Sequence, residues 1–376
     1  MSTPEISVVE RTSSNAIPGA LEEPRAGNLL LRRWFLISLL LATWLPVAFF
    51  TLFARSAGES GGLWGIKTVF LFLGTAHVPA TLFFYSDKEF AAIRKSHPAR
   101  YVYVPIFLIV VTGLLFAFAG VTVQAFALLT YWAWQAFHYG RQNVGMYAFA
   151  SIAETGSAPK KAEKLVIEAA TVLAIMGTFK VLGTAVAPAF LHQGFDYLYQ
   201  FGFLAFLAIV VVSVIVYGKY FQNTSLFKTL FFFTAVLFFA PIFISTDNNI
   251  GFLSYAIAHG LQYIIFMIVV STMAAGENAR TSLYKNLAVF LVFLLLVGFA
   301  FWRVSDLREM TFVKGTWAYA RAADFLFGAV LGATMSHFVI DASAWRLSMA
   351  RQRSYITQRF YFVFGQTRSV SQDLQD

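Results

Sequence analysis

The sequence predicts an all-α, polytopic integral membrane protein of about ten transmembrane helices with both termini cytoplasmic. Three observations lead there. Charged residues make up only 12% of the 376, about half the usual soluble share of 25%. Mean hydropathy is +0.66, and apolar stretches recur at the roughly 20-residue length that crosses a core about 30 Å thick. The cations gather in alternate connecting segments.

Residues 1–28 mix Glu5, Glu10, Arg11, Glu22, Glu23 and Arg25 with Ser, Thr, Pro and Gly, which reads as a disordered N-terminal tail. They lack the basic start and short apolar core of a signal peptide, and Ser2 replaces the Gly of a myristoylation site. The first spanning helix is therefore expected to direct insertion. Apolar stretches lie near residues 34–54, 64–85, 101–119, 124–149, 165–187, 199–217, 227–244, 251–272, 286–302 and 322–344. The membrane domain is expected over 29–346, followed by a cytoplasmic C-terminal tail over 347–376. The third, sixth, seventh and ninth stretches are almost purely apolar and read as facing lipid or neighbouring helices. Within the fifth, Gly177 and Gly183 flank Lys180, so a helix break is expected there.

A cytoplasmic N-terminus places Arg32 and Arg33, Lys88 to Arg100, Lys160 to Lys164, Lys219 and Lys228, and Arg346 to Arg368 on one side. That side then holds most of the 28 Lys and Arg residues, a positive-inside bias. The net charge of +9 thus reads as topology in a cytoplasmic (inner) membrane, not as a nucleic-acid footprint. Trp34, Trp44, Trp64, Trp302 and Trp345 near span ends fit an aromatic belt.

Against this apolar background the polar residues inside the spans carry the information. Four of the six His fall on even-numbered spans, which run in one direction: His77, His138, His259 and His337. At 1.5 Å per residue they lie roughly 12, 16, 20 and 10 Å from the cytoplasmic end, so one layer can contain all four. This requires the fourth span to continue past Arg141. His138 in HYGRQ and His337 in HFVID each carry an aromatic at i+1 and a polar group at i+4 on the same face. With T-A-H at His77 and I-A-H at His259, the second to fourth spans read as a parallel pseudo-repeat of the eighth to tenth.

Four neutral imidazoles converging in a dry cavity suit a transition metal, and nitrogen ligation with open positions suits iron or copper oxygen chemistry. Gln142, Gln262 and Tyr263, together with Asp341, are placed to orient the rings. Arg141 is the costliest charge, and an Arg141–Asp341 pair is its expected relief, making both residues candidate catalytic groups. Trp132 and Trp134 lie deep enough to line a cavity for an apolar ligand. With no Cys, thiolate metal sites and disulfides are excluded. HxxH and HxxxH pairs, an HExxH helix and a GxxxxGK[ST] loop are all absent from the sequence.

The strings AFHYGRQNVG, AHGLQY and HFVIDASAWR resemble those of uncharacterised bacterial multispanning proteins. More distantly they are similar to the Brp/Blh family of membrane β-carotene dioxygenases. The likeness rests on His138 with its following aromatic and Gly140; at His77 that family's Pro-His-Gly is replaced by AHVPATLFFYSD. The resemblance implies a non-haem iron held by intramembrane His and a lipophilic substrate arriving from the bilayer. Two other functions are carried as alternatives. The layout of one His on each of four parallel-running helices resembles haem A synthase, which implies bis-His haem b sites. A proton-coupled transporter would use Arg141 for an anion and His337 with Asp341 as a relay.

Overall fold

The computed structural model describes residues 26–53, 64–220, 225–245, 247–273, 279–311 and 317–364. Every regular element among them is helical. In order these are α1 (Ala26–Phe53), α2 (Trp64–Ala80), α3 (Phe83–Ser86), α4 (Lys88–Ser96), α5 (Val104–Phe118), α6 (Val121–Thr155), α7 (Lys161–Thr178) and α8 (His192–Tyr220). There follow α9 (Leu226–Leu237), α10 (Pro241–Ile244), α11 (Asn248–Thr272), α12 (Ala279–Thr311), α13 (Trp317–Ala344), α14 (Ala350–Arg359) and α15 (Tyr361–Phe364).

Eight helical segments among the described residues are long and apolar enough to cross a membrane. The architecture is that of a multi-pass membrane protein. The two other expected spans coincide with α6, which is long but polar, and with the 12-residue α9. Outward-facing Leu204, Ile215, Leu296 and Phe299 on α8 and α12 are exposed, as side chains solvated by lipid rather than water would be.

Local chemistry explains the boundaries. Asp87 caps α4 by accepting from the Glu89 and Phe90 amides at 2.9 and 3.4 Å. Glu163 reaches back to the Lys160 amide at 2.7 Å to start α7, and Gly156, at φ 67°, ends α6 in the left-handed conformation that Gly adopts without strain. As the flanking glycines foretell, α7 stops at Thr178 and passes into a π-helical turn over Phe179–Gly183, where Lys180 pairs with Asp196.

Small residues set the closest helix contacts. Along α13, Gly328, Gly332 and Ser336 form a stripe at four-residue spacing. A Cβ on Gly332 would stand 2.5 Å from the Leu108 carbonyl oxygen of α5, and Ser336 donates to the Pro105 carbonyl at 2.9 Å.

The segment after residue 346 is not simply a tail. Through Phe364 it folds back on the bundle, burying Tyr355, Phe360, Phe362 and Phe364. Arg359 anchors it, reaching Asp87 at 2.7 Å, Glu89 at 3.0 Å and the Val270 carbonyl at 2.5 Å. Tyr355 donates to the same Asp87 at 2.7 Å, and burial pushes its phenol above the ordinary range, so it remains a donor. An apolar run of Phe at alternate positions needs a surface to cover, and the aromatic cluster of Phe35, Phe149 and Phe266 supplies it. The expected disordered tail lies outside the described residues up to position 25, and 365–376 do likewise.

Candidate metal centre

The four intramembrane histidines do converge. His77 comes from α2, His138 from α6, His259 from α11 and His337 from α13, all buried. Their rings form a closed cycle: His77–His259 at 4.8 Å between centroids, His259–His138 at 4.9 Å, His138–His337 at 5.1 Å and His337–His77 at 5.0 Å. The His259–His337 diagonal is 6.1 Å. Convergence depends on α6 running unbroken through Arg141 to Thr155, which it does.

Glycine brings the first pair together. A Cβ on Gly260 would lie 2.8 Å from His77 Nδ1 and 3.0 Å from Gly74 Cα, so α2 and α11 meet backbone to backbone beside the two rings. Gly140 does the same between α6 and α7, where Thr171 fills the space a Cβ would need.

Asp341, one turn beyond His337 on α13, completes the set. Its Oδ2 lies 3.6 Å from His337 Nε2 and 3.9 Å from His138 Nε2. Two triads of donor atoms therefore share His337: His77, His259, His337 and His138, His337, Asp341. Tyr263 donates to Asp341 Oδ1 at 2.9 Å, Thr81 Oγ1 lies 2.9 Å from the Tyr263 hydroxyl, and His337 Nδ1 lies 2.6 Å from Thr81 Oγ1.

This chain has a direction. With Asp341 accepting from Tyr263, the Tyr263 oxygen accepts from Thr81, and Thr81 accepts from His337 Nδ1–H. The proton sits on Nδ1 and the Nε2 lone pair turns inward. His77 Nδ1 likewise faces the Gly74 carbonyl, which fixes the same tautomer. The Nε2 atoms of all four rings are buried without a hydrogen-bonding partner in the protein. On His77 and His337 these are lone pairs, and the His337 lone pair stands 3.6 Å from a carboxylate oxygen, an arrangement that a cation relieves. Phe338 stacks on His138 at 4.3 Å and Tyr139 lies against His259 at 4.1 Å, sealing the rings from solvent.

Several expectations are corrected. Arg141 does not pair with Asp341; it is half-exposed and meets Glu168 of α7 at 2.6 Å. The Gly140–Thr171 contact puts Arg141 at the outer edge of the α6–α7 seam, where the pair avoids full desolvation. Gln142 and Gln262 do not hold ring nitrogens. Gln142 donates to Gln262 Oε1 at 2.9 Å and to the His259 carbonyl at 3.2 Å, and Gln262 donates to Thr43 at 2.6 Å; they brace the backbone of α11. Tyr263 reaches Asp341 directly and the His337 ring through Thr81. Trp132 packs in a separate cluster with Leu129, Ala187 and Phe195, while Trp134 lies 6.0 Å from Phe338, the ring stacked on His138. An apolar groove of about 470 Å³ lies elsewhere, between α2 and α12, lined by Phe72, Leu295, Phe299 and Trp302 among others. A lone Thr such as Thr81 carries no signal in sequence, whereas Gly260, directly after His259, is the kind of small residue that marks a close helix contact.

No protein-family model matches the chain, and no curated protein or solved structure matches it either.

Proposed function

We propose that this protein is a multi-pass metalloprotein of the cytoplasmic membrane, and that it is a histidine-ligated non-haem iron oxygenase acting on a lipophilic substrate. The observation that carries the reading is the set of four buried Nε2 atoms without a protein partner, two of them in rings whose tautomer the surrounding hydrogen bonds fix, gathered in two triads that share His337 beside a carboxylate. Rings bound to one ion through nitrogen bonds of about 2.1 Å have centroids about 4.5 to 6.5 Å apart. The four sides of the ring cycle and the His259–His337 diagonal, 4.8 to 6.1 Å, fall in that window.

The donor chemistry favours iron. His138, His337 and Asp341 have the composition of the two-His, one-carboxylate set that holds non-haem iron in oxygenases. Bound there, iron supplies oxygen activation. The protein's own residues do the rest: Thr81 and Tyr263 hold His337 and Asp341 in register, Gly74 orients His77, and Phe338 excludes water beside His138. The groove between α2 and α12 supports a substrate that arrives from lipid. Its wall residues Val69, Leu295 and Phe299 are exposed, and Phe72 stands a little over one turn from His77. Copper is the other ion this donor set suits.

The spacing argues against haem b among these rings, because a porphyrin needs a slot between paired axial ligands and neighbouring rings here stand only 4.8 to 5.1 Å apart. Arg141 turns away from the centre, which removes the anion-binding group of a transporter. We further propose ten spans with both termini cytoplasmic, α6 and α9 with α10 completing the count, and α2–α6 as a pseudo-repeat of α11–α13; the lysine and arginine bias supports this.

Elemental analysis and an absorption spectrum of detergent-purified protein test the reading. Stoichiometric iron without a Soret band, lost in His138→Ala, supports it. A Soret band, or no metal at all, overturns it.

A further inference from the structure

Along α6, Tyr139, Asn143, Tyr147 and Ser151 recur at four-residue spacing and are buried. Four residues of helix rise about 6 Å, roughly the span of a single water hydrogen-bonded at both ends at about 2.8 Å. At the top of this column Tyr139 lies against His259. At the bottom Tyr147 faces Glu163 of α7, whose carboxylate lies 3.5 Å from Lys228 Nζ of α9.

The column is short of partners. Both polar atoms of Asn143 and both ring nitrogens of His259 are buried with no hydrogen-bonding partner in the protein, and the Tyr147 hydroxyl has only the Glu163 carboxylate before it. Buried groups of this kind normally bind internal water. Elsewhere on the same helix the polar residues are served: Gln142 by Gln262, Ser151 by the Ser157 carbonyl and Gln135 by Tyr139. Below the histidine cluster, the unserved atoms of α6 all lie on Asn143 and Tyr147, between that cluster and the Glu163–Lys228 pair. That pair sits at the bundle end rich in lysine, with Lys160, Lys161 and Lys164 beside it.

We propose that a file of internal water held by Asn143 and Tyr147 links Glu163 to the histidine cluster and carries protons between that cluster and the lysine-rich face. The protons pass by exchange along the water file, so nothing is oxidised or reduced. The water file stands on Asn143 and Tyr147, which are outside the ligand set; its use by the centre rests on the metal reading above.

Hydroxyl-radical footprinting of the full-length protein in nanodiscs tests the file directly, because radicals formed from internal water oxidise residues that bulk solvent does not reach. Tyr147 is expected to be oxidised well above Phe239, which is as fully buried but packed among apolar rings. The signal should fall in Asn143→Leu. Tyr147 labelling no greater than that of Phe239 overturns the file, whether or not the protein binds metal. In iron-loaded protein, Asn143→Leu and Glu163→Gln should each slow the response of the centre's absorption to a pH jump several-fold. An unchanged response in both variants overturns the proton role even if the column is wet.

Discussion

Gly260→Ala adds one methyl at the point where α2 and α11 touch. Its Cβ would lie 2.8 Å from His77 Nδ1, against the 3.4 Å at which ordinary contact begins, so the ring must withdraw by about 0.6 Å. The backbone of Gly74 blocks the other direction, with its Cα and carbonyl oxygen both at 3.0 Å. Metal ligands tolerate displacements of about 0.2 Å, and misplaced supporting contacts lower metal affinity about 10- to 100-fold. Overpacking should also cost about 1 to 3 kcal/mol of stability, partly offset by the roughly 1 kcal/mol gain in helix propensity of Ala over Gly. Gly145→Ala is the control: nothing stands within 4 Å of its Cβ, so only the propensity gain remains. Competition of each variant against a chelator, with thermal melts in the same detergent, gives both quantities. Wild-type affinity and melting temperature in Gly260→Ala would refute the claim that this glycine sets the position of His77.

Other substitutions separate the parts of the site. Thr81→Val keeps the shape but removes the bond to His337 Nδ1, and should weaken metal binding about 10- to 100-fold with helicity by circular dichroism unchanged. Arg141→Gln removes an exposed ion pair, so stability should change by less than about 1 kcal/mol and metal content not at all; loss of metal would restore a role for Arg141 at the centre. Arg359→Ala leaves Asp87 with one fewer buried partner and should destabilise by about 3 kcal/mol. In that variant limited proteolysis should cut at Arg351 and Arg353, and protection equal to wild type would contradict the docked C-terminal segment.

Much of the fold was legible because lipid leaves few choices. Backbone polar groups must be satisfied within each span, so apolar stretches of sufficient length had to be helices. The four histidines were legible for the related reason that an ionisable group at such depth needs a purpose. What failed depended on direction around a helix. Arg141 and His138 are three residues apart, close enough in angle to share a face, and only the Gly140–Thr171 contact decides that Arg141 turns outward. Gln142 has the right spacing to reach a ring, yet it meets Gln262 because α11 presents its backbone there. Thr81 lies beyond the end of α2 in a turn, where periodicity says nothing. The docking of the C-terminal segment was not legible because its apolar run is too short to span a bilayer, and Phe360, Phe362 and Phe364 cover an aromatic surface that exists only after folding.

X-ray absorption at the iron edge of the purified protein tests the central claim most directly. The account predicts nitrogen and oxygen donors at about 2.0 to 2.2 Å, with outer-shell imidazole scattering that diminishes in His138→Ala. A spectrum without imidazole scattering, or one unchanged by that substitution, would contradict it.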